Sequence, residues 1–375
     1  MAQYRVGIIG GGRKGSQHAR AFNLNPRTEV VAVADTDPEN RALFSQRFGV
    51  PGYADYGEML AREAIDIAAP ILPVRYNPEV VLGCARAGVR AILCEKPLAV
   101  SLEEADRMVA ACRERRIPFA AGDLDANLPT YARAWEVIKS GALGPVRSIR
   151  FRGGSGAEIS GGGCQILTLM RLFAGLEEVD WVIGWMAGDP FSDHDQGAAG
   201  YVRFANGVEG FIHREPDGLG RGLEVACERG VFRTGNFHAE ILQAGDNAQI
   251  PAWENLHRMD GVLPEGNIYG RRSAEYDESG WRWPGDRNVA TVQALVEALQ
   301  TGVEPVGSGD NGRRVLELAI ALRESHRRGH AAVTLPLCDR SLRLIPHTGR
   351  LENKKEVYGR DWYMPQVLAQ RKGEE

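Results

Sequence analysis

The sequence predicts an α/β domain built on a parallel sheet, followed by an α+β domain of antiparallel strands. Three observations lead there. Short apolar runs alternate with helical stretches over about the first 120 residues, and a glycine-rich loop directly follows the first run. Beyond Gly122 the pattern changes to short strands separated by tight-turn signals.

Composition narrows the class. With 375 residues, 43% hydrophobic and 25% charged, the chain is long enough for two domains that each bury a core. Forty-five Lys and Arg against 49 Asp and Glu leave a net charge of −4, without the basic footprint of a nucleic-acid binder. Six cysteines (Cys84, Cys94, Cys112, Cys164, Cys227, Cys338) show no C-x-x-C spacing, which argues against a zinc ribbon or a disulfide scaffold. No apolar run approaches the roughly 18 residues of a membrane span. Met1 to Gly12 lacks a basic segment and an A-x-A cleavage site, so no secretory signal is expected. A cytoplasmic protein with neither nucleic acid nor membrane as partner is expected.

The elements follow in order. Arg5 to Ile9 is a short apolar run ending in glycines, as a buried parallel strand does. Val30 to Ala34, Ile65 to Ala69, Ala91 to Cys94 and Pro118 to Ala121 are the next four. Between them, Ser16 to Phe22 and Glu79 to Ala87 read as helices, the latter stopping at Gly88. Ser101 and Glu104 form a capping box for another helix. After Gly122, Tyr131 to Lys139 reads as a helix, and strands are predicted between Val146 and Leu242. Asn206-Gly207 predicts a type I′ hairpin turn, with φ > 0 at both residues, and strands so joined are antiparallel. Val289 to Leu299 and Val315 to Leu322 carry apolar helical stripes. These patterns place a first domain at 1–122, a second at 123–337 and a tail without assigned fold at 338–375.

Gly10-Gly11-Gly12-Arg13-Lys14-Gly15 fits G-x-G-x-x-G between a strand and a helix, the context a dinucleotide-binding loop requires. Gly10 makes the turn, Gly12 lets the backbone approach a pyrophosphate, and Gly15 lets helix pack on strand. Asp35, 25 residues after Gly10, stands where a carboxylate would accept from the adenosine ribose hydroxyls. A carboxylate there repels a 2′-phosphate, so NAD is expected rather than NADP.

Glu95-Lys96-Pro97 follows the fourth run, and with it the chain resembles the Gfo/Idh/MocA family (glucose–fructose oxidoreductase/inositol dehydrogenase) over about residues 4–337. The likeness includes His18 after the glycine loop, Ala87-Gly88, Leu98-Ala99 after the E-K-P, Ser101 and Glu104-Ala105. It continues through Ile138 to Gly144, Arg203 to Gly207, Gly307 to Asn311 and Val333 to Pro336. The resemblance implies a Rossmann domain followed by a domain with a large, mostly antiparallel open sheet, through which such proteins form dimers or tetramers. It implies NAD(P)-dependent dehydrogenation or reduction of a sugar, inositol or related polyol, with Lys96 as the catalytic cation. Leu72, Pro73, Glu95 and Lys96 then join Gly10, Gly12, Arg13, Lys14, Gly15 and Asp35 as cofactor contacts.

The pattern breaks at its acid–base half. The family's D-x-G-x-H-x-x-D-L corresponds to Gly161 to Leu169, with Gly161, Gln165 and Thr168 in place of the ionisable residues; Asn77 stands for the histidine of P-x-x-x-H. Gln165 cannot take a proton near pH 7. Asn77, Gln165 and Thr168 are therefore expected to bind substrate hydroxyls. Three readings stay open: a dehydrogenase whose base has moved to His194, His213, Asp123, Asp125 or Lys96 itself; an enzyme using NAD as an internal redox relay in elimination or hydrolysis; or a non-catalytic NAD-binding protein. Asp193-His194-Asp195 reads as a solvated turn rather than a metal site, and Trp253, Trp281 and Trp283 as core or interface aromatics that could also stack on a sugar.

Overall fold

The computed structural model describes residues 3–122, 124–153, 158–213, 222–235, 238–247, 249–251, 254–264 and 287–346. The first third alternates β1 (Tyr4–Ile9), α1 (Arg13–Leu24), β2 (Thr28–Ala34), α2 (Pro38–Phe48), β3 (Gly52–Tyr53), α3 (Tyr56–Arg62), β4 (Ile67–Pro70), α4 (Asn77–Ala87), β5 (Ala91–Cys94), α5 (Leu102–Glu114) and β6 (Phe119–Ala121). All pairings are parallel, in the order β3-β2-β1-β4-β5-β6. Val6 to Ile9 are all buried because β1 is central and covered on both faces. The two-residue β3 has no apolar run of its own and was not legible as a strand. The strand order reverses between β1 and β4, and that switch opens a crevice at their C-terminal ends. The Ser101–Glu104 capping box is formed, and Gly88 ends α4 at φ +79°.

The remaining elements are α6 (Pro129–Lys139), β7 (Val146–Arg152), α7 (Cys164–Phe173), β8 (Val179–Met186), β9 (Ala198–Phe204), β10 (Glu209–Ile212), β11 (Gly222–Cys227), β12 (Gly230–Thr234), β13 (Ala239–Ala244), β14 (Leu256–Arg258), α8 (Arg287–Thr301), α9 (Gly309–Arg327) and β15 (Val333–Thr334). Their nine-stranded sheet runs β14-β13-β12-β11-β7-β10-β9-β8-β15. It is antiparallel except for β7 with β10, which pair in parallel. Those two strands are not joined by a tight turn, so the hairpin rule does not bind them. The Asn206-Gly207 turn also differs from expectation: Gly207 alone takes positive φ (+87°), and its N–H bonds back to Phe204 O at 2.9 Å. The loop is longer than two residues, so one left-handed position closes it.

Two segments tie the sheets together. Val292, Leu295 and Val296 of α8 share a core with Val6, Ile8, Ala19 and Phe22, so this late helix covers α1 of the first sheet. Residues 338–346 are packed rather than loose. Leu344 is fully buried, Ser101 bridges Arg343, and Arg340 pairs with Asp106 at 2.7 Å and with Glu317. No helix among the described residues is long and apolar enough to cross a membrane.

Candidate active site

A cleft of about 360 Å³ opens at the β1/β4 switch. Its walls include Gly10, Gly12, Arg13, Lys14 and Gly15 from the loop before α1, Asp35 from the end of β2, Leu72 and Pro73 after β4, and Glu95 and Lys96 after β5. Gly10 sits at φ +100°, and a Cβ there would lie 2.4 Å from Ile71 O. A Cβ on Gly15 would lie 1.9 Å from Gly10 O, so only glycine lets α1 start this close to the loop. Gly12 caps α1 without a side-chain bond to its first turn. Asp35 accepts from Gly11 N at 2.7 Å and from Asp37 N at 2.8 Å. Burial pushes its carboxyl above the usual value, against those two N–H bonds, which pull it down.

Three neighbours fix the loop after β5. Buried His18 places Nε2 3.0 Å from Glu95 Oε2. Gly122, at φ +62°, lies against the stem of Lys96, where a Cβ would come 2.4 Å from Lys96 Cγ. Asn77 is fully buried, and its Nδ2 donates to the carbonyls of Glu95, Pro97 and Leu98 at 3.1, 3.1 and 3.2 Å. The expected substrate contact of Asn77 is thus corrected: its amide turns to backbone, because three converging carbonyls can only accept.

The start of α7 also turns inward. Gln165 Oε1 accepts from Asp125 N at 2.8 Å, and Thr168 Oγ1 donates to Cys164 O at 2.7 Å. Both residues are buried, and neither lines the cleft. Of the candidate bases, Asp125 lies just past β6, buried, with Arg287 Nη1 at 3.2 Å from its Oδ1. His194 and His213 are exposed at loops of the second sheet, away from the cleft walls. Asp123 and the three tryptophans Trp253, Trp281 and Trp283 lie outside the described residues.

The 193–195 segment is not the solvated turn expected. Asp195 is buried and accepts from Ile159 N, Ser160 N and Gly197 N, which shapes the approach to α7. Asp193 pairs with Arg343, Arg327 and Arg323 at 2.8, 3.3 and 3.4 Å. Among the described residues no group of three His, Cys, Asp or Glu side chains could hold a metal. Sequence reasoning missed Tyr56, Tyr76 and Glu79 on the cleft wall, and the Arg287–Asp125 pair. Tyr76 follows Pro73 on the same strand-end loop, a signal that could have found it. Tyr56 and Arg287 arrive by long-range packing and carry no local signal.

The comparisons with known proteins bear on this geometry. The profile of the Gfo/Idh/MocA family, described as an oxidoreductase family with an NAD-binding Rossmann fold, matches residues 4–122. The myo-inositol 2-dehydrogenase of Thermotoga maritima is 23% identical over 340 residues, 86% of this chain and 96% of its own. Residues 4–122 are thus a Gfo/Idh/MocA-type NAD-binding Rossmann domain, and the chain is similar over most of its length to oxidoreductases of that family. The rhizopine catabolism protein MocA of Rhizobium meliloti is 27% identical over 82% of this chain and 88% of its own. Among solved structures, levoglucosan dehydrogenase in complex with NADH and L-sorbose shares the fold with a TM-score of 0.70 at 22% identity, covering 90% of this chain and all of its own. The Gfo/Idh/MocA proteins are NAD-binding, and the cleft lies within the residues that the family profile matches, 4–122.

Proposed function

We propose that the chain is an NAD-dependent oxidoreductase that moves a hydride to or from a sugar, inositol or related polyol. The observation that carries this reading is one cleft joining the glycine-rich loop, Asp35 and Lys96. The residues fit a dinucleotide. Gly10 to Gly15 would hold the pyrophosphate at the N-terminus of α1 together with Arg13 and Lys14, and Asp35 would accept from the adenosine ribose. Asp35 itself stands on the wall where a 2′-phosphate would have to lie, and its carboxylate would repel that group. This favours NAD over NADP. Leu72 and Pro73 form the wall along the cofactor toward Glu95 and Lys96.

Bound NAD supplies or accepts the hydride. Lys96 offers the cation that steadies an alkoxide as the hydroxyl proton leaves. Asp125 is also off the cleft wall and paired with Arg287, but its place three residues beyond Gly122, which packs on Lys96, favours it over His194 and His213 as the proton's acceptor. The choice of polyol rests on the inositol and levoglucosan dehydrogenases to which the chain is similar. The test is a screen of sugars, inositols and their keto forms, following NADH absorbance alongside product analysis. Lys96→Met should lower kcat by about 10²–10³, far more than it weakens NAD binding; unchanged kcat removes Lys96 from the mechanism.

A second reading has its own support. Gly161, Gln165 and Thr168 offer no proton-transferring group, and the last two are engaged internally. This favours an internal redox relay or a non-catalytic NAD-binding protein. Product without net NADH supports the relay; tight NAD binding with no turnover across the panel supports the non-catalytic protein. We also infer a homodimer or tetramer through the face of the nine-stranded sheet that holds Trp181, Tyr201 and Phe211, with ring centroids 5.1 and 5.3 Å apart along the row. Light scattering at micromolar concentration tests it, and a monomer mass overturns it.

A further inference from the structure

We propose that Asn77 is a positioning residue for Lys96: its side-chain amide clamps the backbone of residues 95–98 and so aims the ammonium at the cleft. The proposal rests on the reading of Lys96 as the catalytic cation. Its geometry stands on three observations.

The first is convergence. The carbonyls of Glu95 and Pro97, on either side of Lys96, and that of Leu98 all meet one nitrogen, Asn77 Nδ2, at 3.1 to 3.2 Å. Carbonyls only accept, so chemistry decides which end of the amide faces them. Residue 96 is the apex of a bend wrapped around that nitrogen.

The second is enclosure from the other sides. Gly122 leaves no room for a Cβ beside the Lys96 stem, and His18 holds the carboxylate of Glu95. Backbone, stem and preceding side chain are each held by a different element, so the base of the Lys96 side chain is fixed, and with it the region its ammonium can reach. Placement at this level governs rate, because a reacting group displaced by about 1 Å loses much of its effect.

The third is the other end of the same amide. Asn77 Oδ1 is buried and makes no hydrogen bond among the described residues. An unpaired buried oxygen is unfavourable, so the value of an amide here lies in what its nitrogen does. Asn77 is fully buried and outside the cleft walls, whereas its neighbours Pro73 and Tyr76 are on them. Its influence on a substrate therefore runs through Lys96.

The test compares Asn77→Ala, Asn77→Ser and Asn77→His, the last keeping an N–H donor on a planar side chain. Each is measured for melting temperature, NAD affinity by calorimetry, and kcat and KM on a substrate from the screen. The chain has six lysines, so reductive ¹³C-methylation yields six dimethyl-lysine signals, with that of Lys96 identified by its loss in Lys96→Arg. We expect Asn77→Ala to move or broaden the Lys96 signal and leave the other five in place. NAD affinity should stay within about threefold, and kcat should fall at least about tenfold with KM little changed. Asn77→His should recover most of the lost kcat. If the alanine variant does not fold, the serine variant carries the same measurements.

An unmoved Lys96 signal overturns the proposal. So does a loss in which all six signals, NAD affinity and melting temperature fall together in every variant. If Lys96→Met keeps full turnover while Asn77→Ala still moves the Lys96 signal, the catalytic reading of Lys96 fails and the clamp stands. If Lys96→Met abolishes turnover while Asn77→Ala leaves signal and kcat intact, the clamp fails and the catalytic reading stands.

Discussion

At the cofactor cleft, charged side chains line open space; at the start of α7, polar side chains turn back onto the protein. Asp35, Glu95 and Lys96 stand on the cleft wall. Gln165 and Thr168, one helix turn apart, are turned inward: Gln165 Oε1 accepts from Asp125 N, and Thr168 Oγ1 donates to Cys164 O. The contrast follows the sequence pattern. Where the family motif is kept, backbone and charge are arranged around the open cleft. Where it is broken, the replacement residues have become part of the scaffold. A neutral hydrogen-bonder in place of an acid or base is satisfied by neighbouring backbone, and burial then favours that arrangement.

The largest test of this contrast is Gly15→Val. The new Cβ would lie 1.9 Å from Gly10 O and 3.0 Å from Gly10 C, both backbone, so α1 must move off the loop. NAD affinity should fall by at least about 100-fold, equivalent to roughly 2.8 kcal/mol. Calorimetric titration checks it, and affinity kept within a few-fold would remove the loop from the cofactor site.

Asp35→Ala comes next, with NAD weakened by about 10-fold and NADP by less. Burial pushes the Asp35 carboxyl above 3.8. If Asp35 accepts from the ribose as proposed, protonation removes that charge, so affinity should fall as pH is lowered, and the fall should begin at a higher pH than a free aspartate would set. The alanine variant should show a flat profile over the same range. An unaltered protein that binds NADP more tightly than NAD would overturn the assignment.

Gln165→Leu sharpens the other side. It strips the acceptor from the Asp125 N–H, a buried donor, at a cost of about 1–3 kcal/mol. The melting temperature should drop while NAD affinity stays level. A raised KM with no thermal change would mean that Gln165 reaches a substrate after all, and the contrast would break.

Much of the first sheet was legible because a buried parallel strand needs an unbroken apolar run and ends where glycine must take over. The cleft residues were legible for a related reason: Gly10, Gly15 and Asp35 are constrained locally, by turn geometry and by their place at strand ends. Asn77 was not. Its sequence neighbourhood says only that it starts a helix, and its three partners lie 18 to 21 residues away. The same limit hid the parallel β7–β10 pairing, the return of α8 to the first sheet, and the role of Asp195 in shaping the approach to α7. Each depends on which distant segment arrives, and no local pattern encodes that.

The smallest expected effect discriminates most finely. Thr168→Val keeps the shape of a buried side chain and removes one hydroxyl. That hydroxyl donates to Cys164 O, and helical geometry already directs the backbone N–H of Thr168 to the same carbonyl. The carbonyl therefore keeps a partner when the hydroxyl goes, and the methyl that replaces it suits buried surroundings. Stability should change by less than about 1 kcal/mol, and kcat and KM should both hold. A hydroxyl that instead contacted a substrate alcohol would leave that alcohol unpaired in the variant and raise KM by about tenfold at unchanged melting temperature. The two outcomes separate a residue absorbed into the helix from one still working at the site, and the first is favoured by a hydroxyl whose one hydrogen is already given, at 2.7 Å, to its own backbone.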